Sequence, residues 1–133
     1  MSGHTNLDML ISTMQPELHA GEYVFCGVPD LSVIRTQDIC CFFREEEEIT
    51  LIVEKGVADR LGLSYGFRAA WITLRVHSSL EAVGLTAAFS TALTAAGISC
   101  NVVAGLHHDH LFVPVREADR AIIVLRNLSA SYS

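Results

Sequence analysis

The chain has 133 residues, half of them hydrophobic and 18% charged, with a formal net charge of -6. That length suits one domain or two small modules sharing a core, and the apolar content argues against disorder. Nine scattered Lys and Arg residues against fifteen acidic ones argue against sequence-independent nucleic-acid binding, because phosphate contact needs clustered cations.

The opening stretch, "MSGHTNLDML", has no basic segment followed by an apolar run, so no signal peptide is expected. Residues 82–108 carry no Asp, Glu, Lys or Arg, but Gly84, Gly97, Gly105 and repeated Ser and Thr break the window. A spanning helix needs about 20 predominantly apolar residues, so no membrane segment is expected and a cytoplasmic protein is the default.

Leu7, Leu10, Ile11 and Met14 recur at helical spacing, with Thr5 or Asn6 as N-cap and Pro16 as the stop. "EYVFCGV" (22–28), "DICCFF" (38–43) and "ITLIV" (49–53) read as strands. A loop around Pro29 and Asp30 separates the first two, and "REEEE" (44–48) is a solvated hairpin tip. Cys26, Cys40, Cys41 and Cys100 lie in strand-like runs without a C-x-x-C pair, which reads as buried reduced thiols rather than zinc ligands. "KGVADRLGL" (55–63) predicts a short helix capped by Gly62.

In "AAWITLRV" (69–76), Ile72, Leu74 and Val76 alternate with Trp71, Thr73 and Arg75, the period of a half-buried strand. Leu85, Ala88, Phe89, Ala92, Leu93 and Ala96 form the apolar stripe of a helix closed by Gly97. The opposite face carries Thr86, Ala87, Ser90, Thr91, Thr94 and Ala95, with no charge. That face is expected to pack on the other half of the chain or on a second subunit, and a homo-oligomer, a dimer, is the expectation. "ISCNVVAG" (98–105) and "DHLFVPV" (109–115) are strands joined by a histidine turn, and a last helix runs from Glu117 to about Leu128.

Residues 69–128 therefore read β-α-β-β-α and residues 5–63 read α-β-β-β-α. The fold class is α+β, ferredoxin-like, with a mostly antiparallel sheet and helices packed on one face. The closing strand of such a unit is missing after Leu128, so the two halves, 1–66 and 67–133, are expected to exchange or share a strand.

"HSSLEAVGLTAAF" (77–89) joins strand to helix. Either Ser78 and Glu81 form a capping box, or the helix begins near Gly84. In the second reading the unpaired N–H groups of the helix start suit a carboxylate. "EAVGLTAAF" resembles the loop-helix junction of ACT domains, whose loop often reads Asp-x-Pro-Gly: Glu81 matches the Asp, Gly84 the Gly, and Val83 stands at the Pro. The stretch from Trp71 to Val115 resembles small stand-alone bacterial proteins built from two ACT-like halves. The resemblance implies a ferredoxin-like fold, oligomerisation, and binding of an amino acid or similar small effector. It implicates Glu81, Ala82, Val83, Gly84 and Leu85, with Asn101 on the facing strand.

His77 ends the strand before this loop, and His107, His108, Asp109 and His110 form the hairpin turn. A metal needs several ligands converging, whereas adjacent strand residues point to opposite faces. A small metal-dependent enzyme using His77, His107, Asp109 and His110 is the weaker alternative; no metal, cofactor or catalytic residue is expected. A ligand-free polar turn and a pocket wall remain open, and in the second Asp109 would hold an ammonium group. The reading that follows is a non-catalytic regulatory or sensor protein. Its ligand would be bound through His77, Ser78, Glu81, Ala82, Val83, Gly84, Leu85, Asn101, His107 and Asp109, and valine at 84 is expected to remove the response while sparing the fold. A ligand-free interaction module is the other reading.

Overall fold

The structure, a computed structural model, describes residues 6–76 and 83–133. In chain order the elements are α1 (Asn6–Thr13), β1 (Gln15–Leu18), β2 (Tyr23–Val28), β3 (Cys41–Arg44), β4 (Ile49–Glu54), α2 (Lys55–Leu61), β5 (Arg68–Arg75), α3 (Leu85–Ala95), β6 (Asn101–Ala104), β7 (Asp109–Pro114) and α4 (Ala118–Ala130). They fall into two compact units, Ala20–Ala70 and Met1–His19 with Trp71–Ser133. The ferredoxin-like α+β architecture expected from the sequence is present.

In the unit Ala20–Ala70, β4 pairs antiparallel with β2 on one side and β3 on the other, and β2 also pairs with the opening residues of β5 through Tyr23↔Ala69. The register sets Val24 opposite Val53, Cys26 opposite Leu51 and Val28 opposite Ile49, so strand alternation gathers these side chains on one face. They form a single buried cluster with Ile34 and with Ala58 of α2. Gly62 ends α2 in the left-handed conformation, φ +70°, and its N–H returns to the carbonyls of Ala58 and Asp59. The strand expected from residue 38 begins at Cys41 instead. Thr36–Asp38 wind into a 3-10 turn, and the Asp38 carboxylate accepts a hydrogen bond from Arg60 of α2 at 3.1 Å.

In the second unit the strand order is β1-β5-β7-β6. The sequence pattern read Pro16 as a helix stop and missed β1. That strand pairs antiparallel with β5 from Gln15↔Arg75 to Leu18↔Ile72 and supplies the strand missing after Leu128. Proline is tolerated there because an edge strand leaves one row of N–H positions outside the ladder. Ile11, Ile72, Leu74, Phe89, Leu93, Leu111, Val113 and Leu125 are fully buried and join the helices to the sheet. Burial of each such side chain stabilises by roughly 1.5–3 kcal/mol.

The strand expected over 98–105 is confined to Asn101–Ala104. Ile98 belongs to the end of α3: its N–H bonds the Leu93 carbonyl at 2.9 Å across Gly97, which has φ +75°. At the other end of α3, Gly84 has φ +102°, and a Cβ placed on it would lie 2.8 Å from Leu7 Cδ2. Valine at 84 would therefore disturb the fold, contrary to the sequence expectation. The uncharged face of α3 is exposed at Thr86, Ala87, Thr91, Thr94 and Ala95 and half-buried at Ser90.

Candidate functional site

The ligand expected from the sequence would lie at the start of α3. α3 begins directly after Gly84, and its first intrahelical bond is Ala88 N–H to Gly84 O at 2.9 Å. The amides of Leu85, Thr86 and Ala87 precede that bond, so the helix leaves them without intrahelical partners. Leu85 itself is buried in the core, whereas Val83 is 87% exposed. His77, Ser78, Glu81 and Ala82 lie outside the described residues.

The histidine hairpin is a tight turn closed by Gly105 N–H to His108 O at 2.9 Å. His107 is exposed, and Asp109 is half-buried. Paired residues of β6 and β7 share a face, so Asn101, opposite Phe112, lies with Val103, His110 and Phe112. Asp109 alternates to the other face with Leu111 and Val113, both fully buried. Asn101 and Asp109 therefore do not converge. They stand on opposite faces and at opposite ends of the β6–β7 pair, and the Asn101 amide donates to the Phe112 carbonyl at 3.4 Å.

Asp109 lies toward the end of β5 that leads to α3. Thr73 meets His110, while Trp71, two residues earlier, stacks on Phe112, so the two strands run past each other in opposite senses. Burial holds the Asp109 carboxyl above its ordinary range, with the neighbouring His110 opposing. Among the described residues no cation forms an ion pair with it. A half-buried carboxylate in that state gains most from a cationic group supplied from outside.

The opposite sheet face carries a group that sequence reasoning did not assemble. His19, just after β1, stacks on Trp71 with ring centroids 3.6 Å apart and planes at 15°. Its Nε2 lies 2.6 Å from Thr73 Oγ1, which is 3.1 Å from His110 Nδ1, and the Trp71 indole N–H donates to that same Nδ1 at 3.1 Å. Thr73 is 3% exposed, and its hydroxyl is satisfied within this cluster. Burial lowers the pKa of both imidazoles. Beside them Arg75 holds Glu17 at 2.6 Å and draws its carboxyl below the usual range. The alternation of Trp71, Thr73 and Arg75 was visible in the sequence; His19 was not linked to it because β1 was not recognised.

Among the described residues no group of three or more His, Cys, Asp or Glu side chains is placed to hold a metal ion. His110 and Asp109 point to opposite faces, and Nδ1 of His110 is already engaged. Among the described residues no helix is long and apolar enough to cross a membrane.

Models of the ACT domain match residues 2–70 and 67–127. A Vibrio cholerae protein of unknown function, described as a possible transport protein, is 46% identical over 92% of this chain and 95% of its own, with a TM-score of 0.84. An Agrobacterium tumefaciens protein is 15% identical over 87% of this chain and 89% of its own, with a TM-score of 0.66. The ligand-free regulatory subunit of aspartate kinase from Thermus thermophilus is 10% identical over 85% of this chain and 95% of its own, with a TM-score of 0.61. At the last two identities the likeness is one of fold. No curated protein matches. With two consecutive matches running from residue 2 to residue 127, the chain belongs to the ACT-domain family of small regulatory modules, as a tandem pair.

Proposed function

We propose that the protein is a non-catalytic regulatory sensor that binds an amino acid at the start of α3. The α-carboxylate would sit on the first-turn amides after Gly84, and Asp109 would receive the ammonium group. The observation that carries this reading is the Asp109 carboxylate, half-buried, raised in pKa, and without an ion-pair partner among the described residues. Membership of the ACT-domain family and the left-handed Gly84 entry to α3 support it. His77, Ser78, Glu81, Ala82 and His107 complete the proposed site, whereas Asn101 acts through the β6–β7 pair rather than on the ligand.

Binding to the folded form raises the unfolding midpoint. At a ligand concentration of about 100 Kd the gain is ~2.7 kcal/mol, or several degrees for a chain of this size. A thermal-shift screen with the common amino acids is the test. At least one should raise the midpoint, and Asp109→Asn should remove that rise. If no amino acid moves the wild-type midpoint, the reading fails.

The exposed, uncharged face of α3 favours a second element, a homo-oligomer in cytoplasm-like conditions with that face at the contact. Effector binding would then act by favouring one subunit arrangement over another. Native mass spectrometry of the whole protein reads the stoichiometry and any retained small molecule together.

A further inference from the structure

The face of the sheet opposite the proposed effector site carries a hydrogen-bonded chain whose proton positions follow from donor rules. An indole N–H only donates, so His110 Nδ1, 3.1 Å from Trp71 Nε1, must accept, and neutral His110 carries its proton on Nε2. Thr73 Oγ1 lies 3.1 Å from that same Nδ1, so its hydroxyl also donates to it. With its proton so directed, Oγ1 can only accept from His19 Nε2, 2.6 Å away, which must carry its N–H. The chain thus runs one way, from His19 through Thr73 to His110, and Trp71 fixes its direction.

We propose that this chain is an acid-sensing switch, in which proton uptake at His110 Nδ1 turns the shared acceptor into a donor and breaks the hydrogen bonds it accepts from Trp71 and Thr73. The imidazolium then presents N–H to two donors. Trp71 loses its acceptor, and the Thr73 hydroxyl must turn its proton elsewhere to accept from the imidazolium. His19 takes a proton on Nδ1 without disturbing its Nε2–H, so the conflict arises at His110 and not at His19. The charged and titratable groups acting on His110 are His19 from the segment after β1, Arg75 from β5, and His108 and Asp109 from the hairpin, while Glu17 of β1 is held by Arg75. Burial disfavours the charged ring most, His108, His19 and Arg75 add to that, and only Asp109 opposes. The neutral, accepting form is therefore the one the fold holds until the solution is acidic. The site lies apart from the effector reading and does not depend on it.

The chain's single tryptophan is itself the reporter. A titration of the whole protein from pH 8 to pH 5 reads Trp71 emission, the indole N–H shift and the imidazole nitrogens by long-range 1H–15N spectroscopy. At pH 8, His110 should be the Nε2–H form. It should titrate below the ~6.5 of a free imidazole, with Trp71 emission and indole shift moving at the same midpoint. His110→Gln keeps an acceptor for Trp71 but cannot titrate, and should abolish the emission change. An Nδ1–H tautomer at pH 8, a flat Trp71 signal while His110 titrates, or an emission change that survives in His110→Gln overturns the proposal. Should His110→Gln fail to fold, the wild-type tautomer and the shared midpoint still decide.

Discussion

Replacing Gly84 with alanine should destabilise the protein, and the sign is the informative part. At an ordinary backbone conformation, Gly→Ala stabilises by about 0.4–1 kcal/mol because the unfolded chain loses freedom. Gly84 has φ +102°, where an L side chain is strained by roughly 1–3 kcal/mol. The new Cβ would also stand 2.8 Å from Leu7 Cδ2, so the end of a half-buried leucine must shift. Strain dominates, because the leucine tip can rotate away at small cost. The net expectation is a loss of about 1–2 kcal/mol after the unfolded-state gain is subtracted. With a urea m-value of about 2 kcal/mol per molar, the midpoint should fall by about 0.5–1 M. Repeating the substitution in a Leu7→Ala background separates the two effects: the steric share, under about 1 kcal/mol, should vanish and the conformational share should stay. An unchanged or raised midpoint for Gly84→Ala would show that the left-handed entry to α3 is not a feature of the folded protein.

Three further outcomes follow from burial and charge. His19 and His110 are both held neutral by burial, so the unfolded chain takes up protons first; stability should be level above about pH 6.5 and decline below it, as urea midpoints measured from pH 8 to 5 would show. Stability that rose on acidification through that window would contradict the burial of both rings. Cys40 and Cys100 are pushed up to about 11 by burial. At pH 8 each is then ~0.1% thiolate against about a quarter for a free thiol, so alkylation of these two thiols, read by peptide mass mapping, should run at least ~100-fold slower in the native protein than in urea. Phe89, 0% exposed on the core stripe of α3, should cost about 3–5 kcal/mol as alanine, whereas Glu17→Gln, which breaks a half-exposed pair with Arg75, should cost less than about 1 kcal/mol in the same urea series.

The regulatory reading and the acid switch place chemistry on the two faces of one sheet. β5 supplies both, because its alternate residues project to opposite sides: Ile72 and Leu74 anchor the helix layer, whereas Trp71 and Thr73 hold the imidazoles. Asp109 and His110 divide in the same way at the start of β7. Adjacent residues that look like one cluster in the sequence thus face opposite sides of the sheet.

Local pattern determined much of this protein. The stripe Leu85, Phe89, Leu93, the left-handed glycines at 62 and 97, and the alternation in residues 69–76 each depend on a period or a cap that lies within a dozen residues. The resemblance of "EAVGLTAAF" to the ACT junction carried the family. Tertiary structure alone decided that Gln15–Leu18 is a strand, since an edge segment with a proline has no local signature and gains its hydrogen bonds only from β5, more than fifty residues away. It also brought His19 onto Trp71 and Thr73 between two imidazoles. Those contacts depend on strand register, and no spacing along one segment encodes the register of a partner that distant.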